Sequence, residues 1–171
     1  GIYNTAGLMN IKGGVVSANN YTKGNGGGVC YGSKSSGYIS GISIYGNRVD
    51  AGGGGMIIQG GANVTIGYAS ITGNTAKKTP VGIYLYKATL TMTGGNISGN
   101  TALSGGGGIY ATDSEPVKLS NVTVSKNSAK TGGGLYMLRT KLIMKDSVIS
   151  ENTTTGSGSG IKAVQEGRCD I

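Results

Sequence analysis

The stretch NTALSGGGGIYA, residues 100–111, decides the fold because its pattern returns along the whole chain. It places an asparagine first, then four consecutive glycines, then an aliphatic residue followed by tyrosine. Six segments of alternating apolar residues each end in an asparagine: Asn19, Asn47, Asn74, Asn100, Asn127 and Asn152. Successive asparagines lie 28, 27, 26, 27 and 25 residues apart. Repetition at this period is typical of solenoid proteins.

A second signal follows each asparagine after seven to nine residues, as a glycine before an aliphatic residue. The six pairs are Gly28-Val29, Gly55-Met56, Gly82-Ile83, Gly108-Ile109, Gly134-Leu135 and Gly160-Ile161. The chain opens on the same signal with Gly1-Ile2. We therefore expect one domain over residues 1–171 with six full repeats, cut within a repeat at both ends, as a fragment of a longer solenoid.

Each repeat contains three short groups of alternating apolar residues. In the fifth repeat they are Ile109 and Ala111, then Val117 and Leu119, then Val122 and Val124. Alternation with a period of two predicts strands with one buried face. A coil in which each strand pairs in parallel with its counterpart one repeat later buries all of these groups. The sequence therefore predicts an all-β fold, a parallel β-helix of about six turns, and parallel crossovers favour a right-handed coil.

Charged residues test this register, because residues one repeat apart become neighbours in such a coil. Four of the seven acids then meet a base in an adjacent turn. The predicted neighbours are Asp113 between Lys87 and Arg139, Glu115 beside Lys141, Glu151 beside Lys126, and Asp50 beside Lys77. Exposed pairs of this kind contribute only about 0.2–1 kcal/mol each, so they report the geometry rather than the stability.

The asparagine column predicts a structural ladder. Asparagine tolerates the left-handed backbone of a sharp bend, and its amide can bond to the same amide one turn away. The glycine runs are interpreted as tight stacked turns that leave little room for a Cβ or require positive φ. A nucleotide-binding loop is not expected, because no Lys-Ser/Thr ending or following helix accompanies these glycines.

The composition argues against catalysis. Glycine supplies 35 of 171 residues, yet 37% are hydrophobic, and histidine, phenylalanine and tryptophan are absent. Polysaccharide-cleaving enzymes built on a β-helix need clustered carboxylates, and lyases add Ca²⁺ and a base. The three acids without a predicted partner, Asp146, Glu166 and Asp170, share no column. We therefore expect no catalytic residues, no metal site and no cofactor.

Tyrosines form the strongest candidate binding site. Because the residue before it points inward, Tyr110 should point outward, as should its equivalents Tyr84 and Tyr136 on the neighbouring turns. Two interpretations stay open: a self-stabilising aromatic ladder, which is favoured, and a stripe that stacks on sugar rings or packs against another protein. Two further outward columns are rich in serine and threonine, and a solvated hydroxyl face is expected there rather than an ice-binding lattice.

The net charge of +8 permits contact with anionic polymers. Lysines gather loosely near the asparagine bend at Lys77, Lys78, Lys126 and Lys130, where they would contact teichoic acid, acidic glycans or DNA, or else hinder lateral strand pairing. No specific nucleic-acid recognition is expected, and no apolar run is long enough to span a membrane. Cys30 should point outward and Cys169 inward, about five turns apart, which excludes an intrachain disulfide.

The segment LTMTGGNISGNTALSGGGGIYA, residues 90–111, resembles the repeats of bacterial surface proteins with a right-handed β-helix. It is also similar to polymorphic outer membrane protein repeats, which join an asparagine motif to a GGAI motif. Those repeats carry phenylalanine three residues before the asparagine. This chain instead has Val16, Ile44, Ile71, Ile97, Val124 and Ile149 there. The resemblance covers the whole chain and implies a surface-exposed adhesive or structural role without a defined ligand.

Three functional hypotheses follow. The leading one is a non-enzymatic segment of a bacterial cell-surface or secreted protein, acting extracellularly as an adhesin or stalk that contacts glycan, host matrix or an anionic polymer. The second is an extracellular fibre subunit, because no polar cap is visible at either end and copies would stack end to end. The third is a fragment of a polysaccharide-degrading enzyme.

Overall fold

The computed structural model describes residues 1–21, 26–78 and 80–171, and these residues contain 24 short β-strands and no helix. In chain order the strands are β1 Ile2–Asn4, β2 Gly7–Leu8, β3 Ile11–Ser17, β4 Asn20–Tyr21, β5 Val29–Tyr31, β6 Ser35–Tyr45, β7 Arg48–Val49, β8 Met56–Gln59, β9 Asn63–Thr72, β10 Thr75–Ala76, β11 Ile83–Tyr86, β12 Thr89–Met92, β13 Gly95–Ser98, β14 Thr101–Ala102, β15 Ile109–Thr112, β16 Val117–Ser120, β17 Val122–Ser125, β18 Ser128–Ala129, β19 Leu135–Leu138, β20 Lys141–Lys145, β21 Val148–Ser150, β22 Thr153–Thr154, β23 Ile161–Val164 and β24 Arg168–Asp170.

All strand pairings join one turn of the coil to the next and run parallel. Sheet 1 has seven strands in the order β1-β5-β8-β11-β15-β19-β23. Its register aligns repeats residue by residue, so that Ile83 pairs with Ile109 and Ile109 with Leu135. The predicted β-helix is therefore confirmed, together with its in-register stacking.

Sheet 2 has 11 strands and contains the second and third predicted strands of each repeat. The two are fused in β6 and β9, whereas later turns divide them, as in β16 and β17. Asn121 lies between β16 and β17 with a φ of 53°. Because a left-handed residue turns the chain out of the extended conformation, it ends one strand and lets the next begin.

Sheet 3 has six strands of two residues each, in the order β22-β18-β14-β10-β7-β4, and was not predicted. Each strand begins directly after a ladder asparagine, as β14 does after Asn100. Two residues are too short to display alternation, which is why the sequence pattern gave no sign of them. A small apolar cluster lies against this sheet and consists of Val49, Ala76, Val81, Ala102 and Ala129.

Stacked aliphatic side chains fill the interior of the coil. The inward positions of sheet 1 align Ile83, Ile109 and Leu135, and all three are fully buried. Sheet 2 contributes matching columns, among them Ile71 and Ile97. Burial of each such side chain stabilises the fold by up to about 1.5–3 kcal/mol, so the repeated core is the main source of stability.

The asparagine ladder is continuous from Asn19 to Asn152. Each Oδ1 from Asn47 onward accepts two hydrogen bonds from the preceding asparagine, one from its backbone N–H and one from its Nδ2, at 2.8–3.1 Å. Nδ2 also donates to a backbone carbonyl one turn back, for example from Asn100 to Ile71 O at 3.0 Å. The predicted ladder is confirmed.

Three of the four predicted ion-pair positions are occupied as expected. Asp50 lies 2.9 Å from Lys77, Glu151 lies 3.7 Å from Lys126, and Asp113 is bound by Arg139.

The fourth pair, Glu115 with Lys141, is wrong. Thr112 pairs with Leu138, 26 residues later, but Val117 pairs with Leu142, only 25 residues later. The turn that holds Glu115 therefore contains one extra residue, which moves the carboxylate out of register. Lys141 binds Asp170 instead, so this acid also has a basic partner.

Candidate functional site: a tyrosine groove on sheet 1

Strands β11, β15 and β19 place Tyr84, Tyr110 and Tyr136 in one column on the outer face of sheet 1. Tyr84 pairs with Tyr110, and Tyr110 pairs with Tyr136, as the register of the repeats predicts. The same column continues to Cys30 and Ile57 on one side and to Lys162 on the other. The predicted site residues are therefore neighbours in the folded chain.

The tyrosines are only partly exposed, because the glycine-rich loop before each strand folds back over the outer face of the sheet. Gly106 and Gly132 have φ values of 68° and 59°. A Cβ at Gly132 would lie 2.8 Å from the Cβ of Tyr136, which leaves no room for a side chain. Glycine at this point brings the loop backbone against the ring, so the tyrosine column becomes the floor of a groove.

The three rings touch each other along the coil axis. The rings of Tyr110 and Tyr136 are stacked with centroids 4.7 Å apart and an interplanar angle of 2°. Tyr84 meets Tyr110 edge to face, at 5.7 Å and 69°. The Lys162 ammonium lies 5.6 Å from the centroid of Tyr136 and ends the stack with a cation.

The groove has a volume of about 270 Å³. Its lining residues are Pro80, Tyr84, Ser104, Gly105, Tyr110, Thr131 and Tyr136. The sequence analysis identified the tyrosines but missed the wall. Ser104 and Thr131 each follow a ladder asparagine by four residues, so the spacing that located the tyrosines would also have found these hydroxyls.

Charged residues border the groove at the turn after each strand of sheet 1. Arg139 holds Asp113 with two hydrogen bonds, Nε to Oδ1 at 2.6 Å and Nη2 to Oδ2 at 3.0 Å. Its Nη1 also donates to Oε1 of Gln165 at 2.6 Å. Hydrogen bonding from Arg139 lowers the pKa of Asp113, so this carboxylate stays ionised. The turn is thus a fixed, charged margin of the groove.

Burial protects the phenol groups from ionisation. Burial raises the pKa of Tyr84, and the neighbouring Tyr86 and Asp113 raise it further. The pKa of Tyr110 is also raised, mainly by burial and by its two tyrosine neighbours. Both hydroxyls therefore remain protonated at neutral pH and can donate a hydrogen bond as well as accept one.

Cys30 lies in the tyrosine column and faces outward as predicted, yet it is buried. A Cβ at Gly26 would lie 3.1 Å from the Cβ of Cys30, so the loop covers this position closely. Cys169 pairs with the core residue Leu142 as predicted, but it is exposed because it lies in β24, where no further turn is present to cover it. Both thiols are free.

The other predicted surface features keep their positions in the coil. Lys77 and Lys126 are engaged in the ion pairs described above. The serine and threonine columns align in sheet 2, where Ser70 pairs with Asn96 and Asn96 with Thr123.

Residues 1–21, 26–78 and 80–171 contain no group of three or more histidine, cysteine, aspartate or glutamate side chains arranged to hold a metal ion. Within the same ranges no helix is long and apolar enough to cross a membrane.

Stacked parallel turns, a continuous core and an internal asparagine ladder define the class of parallel β-helix repeat proteins. A family model described as a right-handed β-helix region matches residues 2–137 and 42–171. The chain therefore belongs to the right-handed β-helix family, which also confirms the predicted handedness. No curated protein and no solved structure matches the chain significantly.

Proposed function

We propose that this chain is a non-enzymatic, extracellular segment of a bacterial surface or secreted protein that binds an extended glycan along the groove on sheet 1. The observation that carries the proposal is the uninterrupted column of Tyr84, Tyr110 and Tyr136 at the groove floor. Sugar rings stack their C–H faces on aromatic rings, and hydroxyl groups on the wall fix their orientation.

Rigidity of the coil supports the adhesive interpretation. Each tyrosine is held by its strand, by the adjacent ring and by the glycine loop above it, so little side-chain freedom remains to be lost on binding. The asparagine ladder and the stacked core extend the same geometry through successive turns. A stalk with these properties presents its groove in a fixed orientation.

A glycan array tests the proposal, with the folded wild-type chain compared to Y84A/Y110A/Y136A. Binding should disappear in the triple variant and persist in Y45A, which removes an exposed tyrosine from sheet 2. Y110F should also bind, since it keeps the ring. A far-UV circular dichroism spectrum establishes that each variant folds. If the triple variant is unfolded, the single variant Y110A carries the same test.

Binding that is unchanged by these substitutions would remove the groove from the proposal. Incubation with the bound glycan tests the enzymatic alternative. Release of unsaturated or reducing-end products would establish a polysaccharide-degrading enzyme in place of an adhesin.

A further inference from the structure

A second aromatic surface lies on sheet 2, away from the tyrosine groove. Tyr38 in β6 and Tyr68 in β9 point outward and are 43% and 55% exposed. Tyr68 pairs with Ser40, which lies two residues beyond Tyr38 on the neighbouring turn. Strand rise and strand spacing then place the Cα atoms of the two tyrosines about 8 Å apart. They form one surface, named here the tyrosine platform.

Glycines on the next turn of the coil hold this platform close to the sheet. A Cβ at Gly67 would lie 3.0 Å from Cζ of Tyr38 and would collide with its hydroxyl oxygen. A Cβ at Gly94 would lie 3.5 Å from Cδ2 of Tyr68. Each tyrosine therefore leans over a position that has no side chain, and the ring stays close to the backbone of the sheet with the rest of its surface in solvent.

The surroundings of the platform carry almost no charge. Strands β6, β9, β12, β13, β16 and β17 contain a single charged residue, Lys118, and no acid. The whole chain has a net charge of +8, so this face differs from the rest of the surface. Its outward neighbours are hydroxyl and amide groups, among them Ser36, Asn63 and Thr65.

We propose that the tyrosine platform binds a neutral polysaccharide, with adjacent sugar rings lying on Tyr38 and Tyr68. Two exposed rings one turn apart offer stacking surfaces, and the flanking hydroxyl and amide groups offer hydrogen bonds to sugar hydroxyls. An uncharged face gives no electrostatic attraction to an acidic polymer, which favours a neutral ligand. This site lies on a different sheet from the groove, so it is independent of the function proposed above.

Affinity electrophoresis tests this inference with the whole chain. Gels contain one neutral polysaccharide each (mixed-linkage β-glucan, xylan, galactomannan or amylose), and insoluble cellulose and chitin are tested by pull-down. We expect wild-type protein to be retarded or retained by at least one of them. Y38A/Y68A should weaken that binding by about tenfold or more, since stacking on each ring contributes up to about tenfold. Y38F/Y68F should bind as the wild type does.

The groove variant Y84A/Y110A/Y136A is the matched control, because it removes tyrosines from sheet 1 and leaves the platform intact. Retention of neutral-polysaccharide binding in that variant, with loss in Y38A/Y68A, supports the platform. If no neutral polysaccharide retards the wild-type chain, or if Y38A/Y68A binds as tightly as wild type, the inference is overturned. Loss of binding only in the groove variant would likewise overturn it while supporting the groove.

Discussion

Replacing Asn100 by alanine tests the asparagine ladder at its centre, where the side chain is fully buried. The substitution removes four hydrogen bonds of 2.9–3.0 Å. Asn74 loses the acceptor for both its backbone N–H and its Nδ2, while Ile71 O and Asn127 Oδ1 each lose a donor. At about 1 kcal/mol net for each bond, the free energy of unfolding should fall by about 3–5 kcal/mol. Urea denaturation followed by circular dichroism measures this change.

The matched control is Asn19→Ala at the partly buried first position of the ladder. Its Nδ2 donates to Ser17 O and to Asn47 Oδ1, and solvent can replace part of these contacts. A cost of about 1 kcal/mol is expected there. Because repeat proteins can unfold in parts, hydrogen exchange of the turn that contains Asn74 checks where stability is lost. Equal costs at the two positions, or a cost below about 1 kcal/mol for Asn100→Ala, would refute a buried ladder.

Asn100→Asp separates hydrogen bonding from side-chain volume. The substituted carboxyl group would face two acceptors, Ile71 O and Asn127 Oδ1, in place of the amide that donates to them. Burial and these acceptors should raise its native-state pKa above the unfolded value of about 3.9. The native state then binds more protons than the unfolded state, so stability should fall as pH rises. The variant is expected to lose less stability near pH 4 than near pH 8, and a pH-independent loss would contradict this reasoning.

Three further predictions concern thiols, a surface carboxylate and a loop glycine. Burial raises the pKa of Cys30 to about 11, so a disulfide reagent should modify only the exposed Cys169 in native protein and both thiols after unfolding; two rapid modifications in the native state would show that the loop does not cover Cys30. Arg139→Ala should raise the pKa of Asp113 in an NMR titration, since hydrogen bonding from Arg139 is the main cause of its lowered value; an unchanged pKa would rule out that cause. Gly108→Ala should lower the free energy of unfolding by at least about 2 kcal/mol, because the new methyl group would lie 2.6 Å from Gly134 O; a change within 0.5 kcal/mol would exclude a tight loop.

The sequence by itself determined the coil, its register and its ladder. Equal spacing of Asn74, Asn100 and Asn127 forces equivalent residues into neighbouring turns, because a parallel coil with a constant repeat admits one alignment of its columns. The same argument placed Tyr84 beside Tyr110 without knowledge of the loops between them.

Only the tertiary structure decided how each column meets solvent. The loop that carries Gly106 folds over sheet 1, so that outward tyrosines become a groove floor instead of an exposed stripe. One extra residue in a turn separated Glu115 from Lys141, although both lie at plausible positions in the repeat. Period and alternation specify which residues align along the coil, but loop paths and ring orientations depend on contacts between turns, which no single repeat contains.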